Sequence, residues 1–434
     1  MPRSSRSPRA YLYSHVILSL AIALALTACD DVAVYSPTAE IVAEPVASDM
    51  SGETSDAARP GVRKHVSTTP RGRANVLTAG DIDDTLNPRD FKRFLMQASA
   101  ETNLPKTKLG TPIAVQIVNR NTALPAPGLR VTLSHRGETF YDGYSGVEGR
   151  LTVFPATRGA KSVDRSTLKV FGPETGQLLA SQIVRTGGGR QRIEITAPGE
   201  WDPQFLDIGF VVDTTGSMGD ELAWLTKDLS SIIRQARAHA PGVNIRYGLV
   251  LYRDQGDQYV VRNMGFTDDL NQMRRFLRQQ RANGGGDYPE AAAEALESAV
   301  ALNWRRGQGE RLLFHIADAP PHSHDAARYL HAAQAGAAKN IHIFGLGASG
   351  VAVESEYLMR QASAMTEGRY LFLTDDSGVG NSHGEPTTSC YLVTQLSDLM
   401  TRVIGSELSG RRIEPDANRV IRRVGSYDRG VCQT

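Results

Sequence analysis

Residues 206–222 decide the fold, and they read LDIGFVVDTTGSMGDEL. The segment opens on an apolar run rich in β-branched side chains, the pattern of a strand that is buried on both faces of a parallel sheet. It then turns at once into Asp213-x-Thr215-x-Ser217 and enters a helical period near Met218. Open α/β sheets bind their ligands at the carboxyl ends of their strands, so these polar side chains lie where a ligand is expected. Their hard oxygen atoms are the donors that a divalent cation such as Mg2+ needs.

The chain from Leu206 onwards alternates strand-like and helix-like segments. The strand pattern occurs at 206–213, 245–252, 258–265, 311–318, 341–347 and 369–374. Helical periods lie between and after these segments, the last of them at 391–407. The alternation predicts an α/β domain at 205–408 with a doubly wound, mostly parallel, six-stranded sheet of Rossmann-like type. Because the link between the second and third strands is short, we expect the third strand to be the antiparallel edge.

Two further loops carry oxygen donors. The segment GGGDYPE at 284–290 precedes an alanine-rich helix, and its glycines let the backbone come close to an ion. Asp318 ends a second buried strand, which we expect to lie beside the strand at 206–213. The sequence therefore predicts that three loops meet at one edge of the sheet.

The order and spacing of these motifs resemble the metal-ion-dependent adhesion site (MIDAS) of the von Willebrand factor A (vWA) domain, whose usual first motif is Asp-x-Ser-x-Ser. The resemblance implies a cation held by five residues: Asp213, Thr215, Ser217, Asp287 and Asp318. The family has a threonine where this chain has Asp287, and a third carboxylate reduces the charge left to attract an acidic partner. The implied ion is Mg2+, or else Ca2+ or Mn2+ with a fuller shell, unless one aspartate contacts the ion through water.

The function that this resemblance implies is divalent-cation-dependent binding of a protein partner through one of its acidic side chains. One alternative is a scaffold that binds partners without metal, through a β-sandwich. Another is a metal-assisted hydrolase that uses Glu290 or His322 as a base. The sequence has no identifiable nucleophile and no paired acid and base, so we expect that the protein is not an enzyme.

Residues 108–199 consist of short alternating runs that are separated by turn residues such as Pro127-Gly128 and Asp142-Gly143. Short strands separated by turn residues predict a small all-β sandwich ahead of the α/β domain. The pattern resembles the carboxypeptidase regulatory-like, transthyretin-type modules of exported proteins, which implies a spacer or an interaction module.

The N-terminus combines an arginine-rich leader, an apolar core at 16–26 and the sequence Leu26-Thr27-Ala28-Cys29. This arrangement resembles a bacterial lipobox, and it predicts a signal peptide at 1–28 and a lipidated Cys29. The implied location is the bacterial cell envelope, facing the periplasm and anchored in a membrane by lipid. Asp30 resembles the inner-membrane retention signal of enteric lipoproteins.

The remaining segments are predicted to be peripheral. Residues 29–107 indicate a flexible tether with a short helix near Phe91, and the acidic run that includes Asp81 indicates a solvated turn. The basic tail at 409–434 indicates a solvated extension. Cys390 and Cys432 could form a disulfide in an oxidising compartment.

The charge balance bears on whether nucleic acid is a partner. The chain has 48 Lys and Arg against 47 Asp and Glu, a formal net charge of +1. No overall field therefore favours nucleic acid as a partner.

Overall fold

The computed structural model describes residues 76–105, 108–172, 176–196, 201–286, 288–348, 350–377 and 384–433. All of these residues belong to one unit, Arg59–Thr434. The predicted signal peptide, Cys29, most of the predicted tether and Asp287 lie outside the described residues. A search of the described helices finds none with the length and apolar content to span a bilayer.

The described chain begins with strand β1 (Thr78–Ile82) and helix α1 (Pro88–Glu101). Seven strands follow: β2 (Ile113–Asn119), β3 (Arg130–His135), β4 (Glu138–Tyr144), β5 (Arg150–Val153), β6 (Arg165–Phe171), β7 (Leu178–Arg185) and β8 (Arg190–Ile195). They form two sheets, with the orders β5-β2-β8 and β4-β3-β6-β7. Side chains of both sheets, among them Val115 and Leu168, are fully buried in one shared core. This region is the all-β part that the sequence predicted.

The α/β region supplies six more strands: β9 (Phe205–Asp213), β10 (Asn244–Tyr252), β11 (Val261–Thr267), β12 (Glu310–Ala317), β13 (His342–Gly347) and β14 (Tyr370–Thr374). Its helices are α2 (Gly219–Arg237), α3 (Leu270–Arg278), α4 (Ala292–Ala301), α5 (Ala326–Ala338) and α6 (Val353–Met365). The strands lie in the order β11-β10-β9-β12-β13-β14. Neighbours are parallel, except that β11 pairs antiparallel with β10 at the edge. The predicted α/β fold is confirmed.

The sheet extends beyond these six strands. After β14 the order continues with β1, then β15 (Tyr391–Gln395), then β16 (Arg422–Val424), which gives nine strands within the described residues. Helix α7 (Leu396–Ser409) starts directly after β15, and the short strands β17 (Tyr427–Asp428) and β18 (Val431–Cys432) form a hairpin.

Helices cover both faces of the sheet. All nine residues of β9 are buried, as expected of a central parallel strand. Alternate residues of β9, such as Phe210, pack with apolar side chains of α2, α3 and α7. Val211 points to the other face and shares a core with α1, α4, α5 and α6. Burial on both faces holds the end of β9 rigidly, and that end carries Asp213.

Three predictions about the outer segments are wrong. Residues 391–395, expected in a helix, form β15, since no turn residue separates this strand from α7. Residues 78–82, expected in the tether, form β1 between β14 and β15. The 409–434 tail is not a solvated extension, because it adds β16 to the sheet.

The acidic run that begins in β1 is also not a solvated turn. Asp81 is 4% exposed, and its carboxylate pairs with Arg369 at 3.0 Å and with Arg412 at 3.3 Å. Asp84 is 3% exposed and pairs with the fully buried Arg360 at 2.6 Å. These arginines neutralise carboxylates that would otherwise be too costly to bury.

The C-terminal segment is also held covalently. Cys390, just before β15, forms a disulfide with Cys432 in β18, and their Cα atoms are 5.3 Å apart. The backbone amide of Cys432 also donates to the Asn87 side chain at 2.8 Å, which ties the tail to the start of α1.

Candidate metal centre

Asp213 is the last residue of β9, at the carboxyl edge of the sheet, where β9 and β12 end. Its side chain is fully buried. The Oδ1 atom accepts hydrogen bonds from the backbone amide of Thr215 at 2.8 Å and from the Thr215 hydroxyl at 2.7 Å. The Oδ2 atom has no hydrogen-bond partner among the described residues. One oxygen is therefore fixed in place, and the other is available to a ligand.

The glycine-rich loop packs directly against this turn. The amide of Gly216 donates to the carbonyl of Gly284 at 3.1 Å, and the amide of Asn283 donates to the carbonyl of Thr214 at 3.0 Å. Gly285 has a φ of +70°, and a Cβ there would lie 2.8 Å from a carboxylate oxygen of Glu290 and 3.2 Å from Cβ of Thr215. Glycine is needed at this position both for its backbone conformation and for the close approach.

The loop after β12 is the third loop that meets at this edge. Asp318 follows β12 and is 3% exposed. The Tyr288 hydroxyl donates to the Asp318 carbonyl at 3.1 Å, and the Glu290 amide donates to the Pro320 carbonyl at 2.9 Å. The three loops that the sequence predicted to meet are thus hydrogen-bonded to one another.

The electrostatics of this edge favour a cation. Burial, with added repulsion from Asp318, raises the pKa of Asp213 to about 7. Burial, followed by the charges of Asp213 and Asp254, raises the pKa of Glu290 to about 9. The Glu290 Oε2 atom has no hydrogen-bond partner among the described residues. Hard carboxylate oxygens that are buried, crowded and not compensated fit a divalent cation of the Mg2+ or Ca2+ type.

A comparison with known families agrees with this geometry. Residues 207–378 match the family model described as the von Willebrand factor A domain. The chain contains a vWA domain.

Known relatives match part of the chain. An ariadne-like RING finger protein of Acanthamoeba polyphaga mimivirus is 32% identical over 123 residues, which are 28% of this chain and 12% of that protein. The human von Willebrand factor A domain-containing protein 7 is 34% identical over 93 residues, which are 21% of this chain and 10% of that protein. The chain therefore spans only about a tenth of the length of these relatives.

A solved structure is also similar. The crystal structure of the conserved hypothetical protein BatB from Bacteroides thetaiotaomicron is 16% identical, with a TM-score of 0.31. The match covers 41% of this chain and 91% of that one.

Four of the five predicted metal ligands of the vWA domain lie on the described loops. Asp213, Thr215 and Asp318 are buried, whereas Ser217 is half-buried and its hydroxyl makes no hydrogen bond to a described residue. The Thr215 hydroxyl supports the Asp213 carboxylate. Asp287 is outside the described residues, so its part in the site stays a prediction.

The structure adds polar residues that the sequence analysis had not assigned to the site. The Asp257 carboxylate accepts from the amides of Gly285 at 2.9 Å and Asp254 at 3.1 Å, so it anchors the glycine-rich loop. The Asp254 carboxylate contacts Nε2 of His322 at 2.7 Å. Both aspartates lie in the short link between β10 and β11, and the only signal in the sequence was a tight turn.

Proposed function

We propose that this protein is anchored in the bacterial cell envelope and that its vWA domain binds a protein partner in a divalent-cation-dependent manner. The proposed ligands of a MIDAS-type site are Asp213, Thr215, Ser217, Asp287 and Asp318. The vWA fold supports a role in protein–protein interaction, and the loop geometry supports this particular edge as the binding surface.

The observation that carries the proposal is the environment of Asp213. One of its oxygens is held by Thr215, and the other is buried without a partner among the described residues. Asp318 adds negative charge beside it, and Glu290 is a further buried carboxyl group there, with its pKa raised to about 9. A bound cation would compensate these carboxylates and would accept an acidic side chain from a partner.

The donor set also bears on the choice of ion. Glu290 lies beside the proposed ligands and has one carboxylate oxygen without a partner among the described residues. With Asp287 as a further carboxylate, the site would be more anionic than one with a threonine at that position. Ca2+ and Mn2+ are therefore tested beside Mg2+.

Membrane anchoring through Cys29 and a location facing the periplasm belong to the same proposal. The lipobox-like sequence ending at Cys29 supports them. The disulfide between Cys390 and Cys432 is also in keeping with an oxidising compartment.

The first test measures cation binding by the full-length protein in detergent. Calorimetric titrations with Mg2+, Mn2+ and Ca2+ compare the unmodified protein with Asp213→Ala and with Asp268→Ala. Asp268 is an exposed carboxylate on another loop, so its removal is a matched control. We expect Asp213→Ala to weaken binding of the preferred cation by at least ~10-fold and Asp268→Ala to leave it unchanged. Equal binding by all three proteins would overturn the proposed site.

The second test concerns the partner. Proteins that co-purify with the unmodified chain from its native envelope are compared with those captured by Asp213→Ala, each with and without a chelator. We expect a partner that both the chelator and Asp213→Ala release. A partner that survives both treatments would instead favour the metal-independent scaffold, and deletion of the β-sandwich region at 108–199 would then test that alternative.

A further inference from the structure

A second group of metal-ligating side chains lies at the opposite edge of the same sheet. Glu310 is the first residue of β12, His342 is the first residue of β13, and Glu407 lies near the end of α7. Glu310 and Asp318 are at opposite ends of one strand, about 26 Å apart at the usual rise of a β-strand. This group, called here the amino-edge cluster, is therefore separate from the MIDAS-type site.

The donor atoms of the cluster are close enough to share one ion. One nitrogen of His342 and one carboxylate oxygen each of Glu310 and Glu407 lie within 4.8 Å of one another. The His342 Nδ1 atom is 3.2 Å from Oε2 of Glu407 and 4.0 Å from Oε2 of Glu310. Ligands of a tetrahedral Zn2+ ion are about 3.3 Å apart, given metal–ligand bonds of ~2.0–2.1 Å. Small side-chain movements would bring these atoms to that spacing.

No hydrogen bond from a described residue compensates the negative charge of the Glu310 carboxylate. Its carboxylate is largely buried and makes no hydrogen bond to a described residue, and its nearest positive group is the His342 ring at 4.0 Å. A buried carboxylate in this state is costly unless something else binds it. The missing hydrogen bond at Glu310 is an observation separate from the closeness of the acidic groups.

Space for an ion and a water molecule lies directly beside the cluster. His342, Glu367 and Glu407 line a cavity of about 40 Å3 beneath the β-sandwich. His342, Glu310 and Glu367 line a second cavity of about 20 Å3. Each cavity is of the size that holds one or two waters.

Three of the arginines that line these cavities have other partners. Arg369 and Arg412 pair with Asp81. Arg311 donates to the backbone carbonyls of residues 305, 307 and 309. Arg150 and Arg158 line the cavities as well, and no arginine of the described chain forms an ion pair with the cluster.

We propose that Glu310, His342 and Glu407 bind a divalent transition-metal ion of the Zn2+ class at the amino edge. An imidazole nitrogen combined with two carboxylates suits Zn2+, whereas Mg2+ prefers oxygen ligands alone. The ion would join the starts of β12 and β13 to the end of α7 and would stabilise the face on which the β-sandwich lies. This inference is independent of the proposed function at the carboxyl edge.

The test uses the full-length protein carrying Asp213→Ala, so that the MIDAS-type site does not contribute. Binding of Zn2+ is measured by calorimetry, and binding of Co2+ by its visible absorption, which is strong for tetrahedral sites that contain histidine. We expect one ion per chain. Glu310→Gln and His342→Gln, each added to this background, are expected to weaken binding by at least ~10-fold. His331→Gln changes an exposed histidine on α5 and serves as the matched control.

The outcomes separate the alternatives. Binding of one ion that is lost in Glu310→Gln and kept in His331→Gln supports the proposal, with metal-free circular dichroism to show that each variant folds. Absence of a stoichiometric ion, or unchanged affinity in Glu310→Gln, would show that the cluster is only a buried ion pair. If His342→Gln does not fold, anomalous scattering at the zinc edge from crystals of the Asp213→Ala protein decides, since the ion either lies between these three side chains or does not.

Discussion

Two groups of carboxylates at opposite edges of the central sheet are buried in different ways. At the amino edge, Asp81 in β1 and Asp84 just after it are enclosed by arginines, with Arg360 only 2.6 Å from Asp84. At the carboxyl edge, Asp213 and Glu290 are equally well buried, but no arginine or lysine of the described chain pairs with either of them.

The pKa values of Asp81 and Asp213 show what this difference means, whereas burial outweighs Arg360 at Asp84 and raises the pKa of that carboxyl. Burial alone would raise the pKa of Asp81, but the charges of Arg412 and Arg369 outweigh it, and the pKa is lowered. Burial likewise raises the pKa of Asp213, and Asp318 raises it further, to about 7. Carboxylates paired with arginine hold the fold together, whereas carboxylates buried without a cation indicate a site for a ligand.

The largest expected effect tests the carboxylates that are paired with arginine. Arg360 is fully buried and pairs with both Asp84 and Glu356. Arg360→Ala leaves these two carboxylates without their shared cation, so we expect the free energy of unfolding to fall by about 3–5 kcal/mol. Denaturant titration of the full-length protein measures the change.

The matched control is an arginine that also contacts several carboxylates but at the surface. Arg328 is 43% exposed and pairs with Glu294 and Glu297. Because solvent screens these pairs, Arg328→Ala is expected to cost less than ~1 kcal/mol. Equal losses for the two variants would contradict the distinction between a buried pair and a surface pair.

The second effect tests Asp213, which pairs with no arginine or lysine of the described chain. With the preferred cation at about 100 times its dissociation constant, the unmodified protein should gain ~2.7 kcal/mol of stability, and Asp213→Asn should lose that gain. In chelator at pH 8, Asp213→Asn should instead be more stable than the unmodified protein. The raised pKa of Asp213 means that its stabilising protonated form is lost as the pH rises through about 7, and asparagine carries no such charge. A variant that is less stable than the unmodified protein under both conditions would refute this explanation.

The sequence predicted one edge far better than the other, and the reason is physical. Asp213, Thr215 and Ser217 stand in one short motif after a buried strand, and the sheet topology fixes where such a loop lies. The partners of Asp81 are 288 and 331 residues away along the chain. No local pattern connects a carboxylate to such distant arginines, so a short polar strand such as β1 resembled a tether.

The amino-edge cluster was missed for the same reason. Glu310 and His342 stand at strand starts, and Glu407 lies in a helix whose pattern is that of an ordinary amphipathic helix. Only the parallel pairing of β12 with β13, and the packing of α7 at their beginnings, bring the three side chains together.

The third effect concerns His315, in the middle of the strand that joins the two edges. Its ring lies between the hydroxyls of Tyr252 and Tyr329, at 3.1 and 2.9 Å. Burial lowers its pKa from 6.5 to about 3. The unfolded chain therefore takes up a proton first, and the stability present above pH 6.5 is lost as the pH falls. Between pH 7.5 and pH 5 we expect a loss of about 2 kcal/mol from this residue.

A series of denaturant titrations in chelator, from pH 7.5 down to pH 5, measures this loss. His315→Gln keeps a polar side chain but cannot take up the proton, so its stability should fall less steeply with pH by about that amount. Identical pH profiles for the two proteins would show that His315 is not the residue that senses acid.

The smallest expected effect separates the fixing of the Asp213 carboxylate from its charge. The Thr215 hydroxyl donates to Oδ1 at 2.7 Å, beside the backbone amide at 2.8 Å. Thr215→Val keeps the shape and removes the hydroxyl, which should cost about 1 kcal/mol of stability in chelator. Thr215→Val should also lower the affinity for the cation. The carboxylate loses one of the two hydrogen bonds that orient it, and the hydroxyl is itself a proposed ligand. Thr215→Ser keeps the hydroxyl and should retain most of the cation affinity, as measured by calorimetry. If valine kept the cation affinity and serine lost it, the threonine methyl group, and not its hydroxyl, would be what holds Asp213 in place.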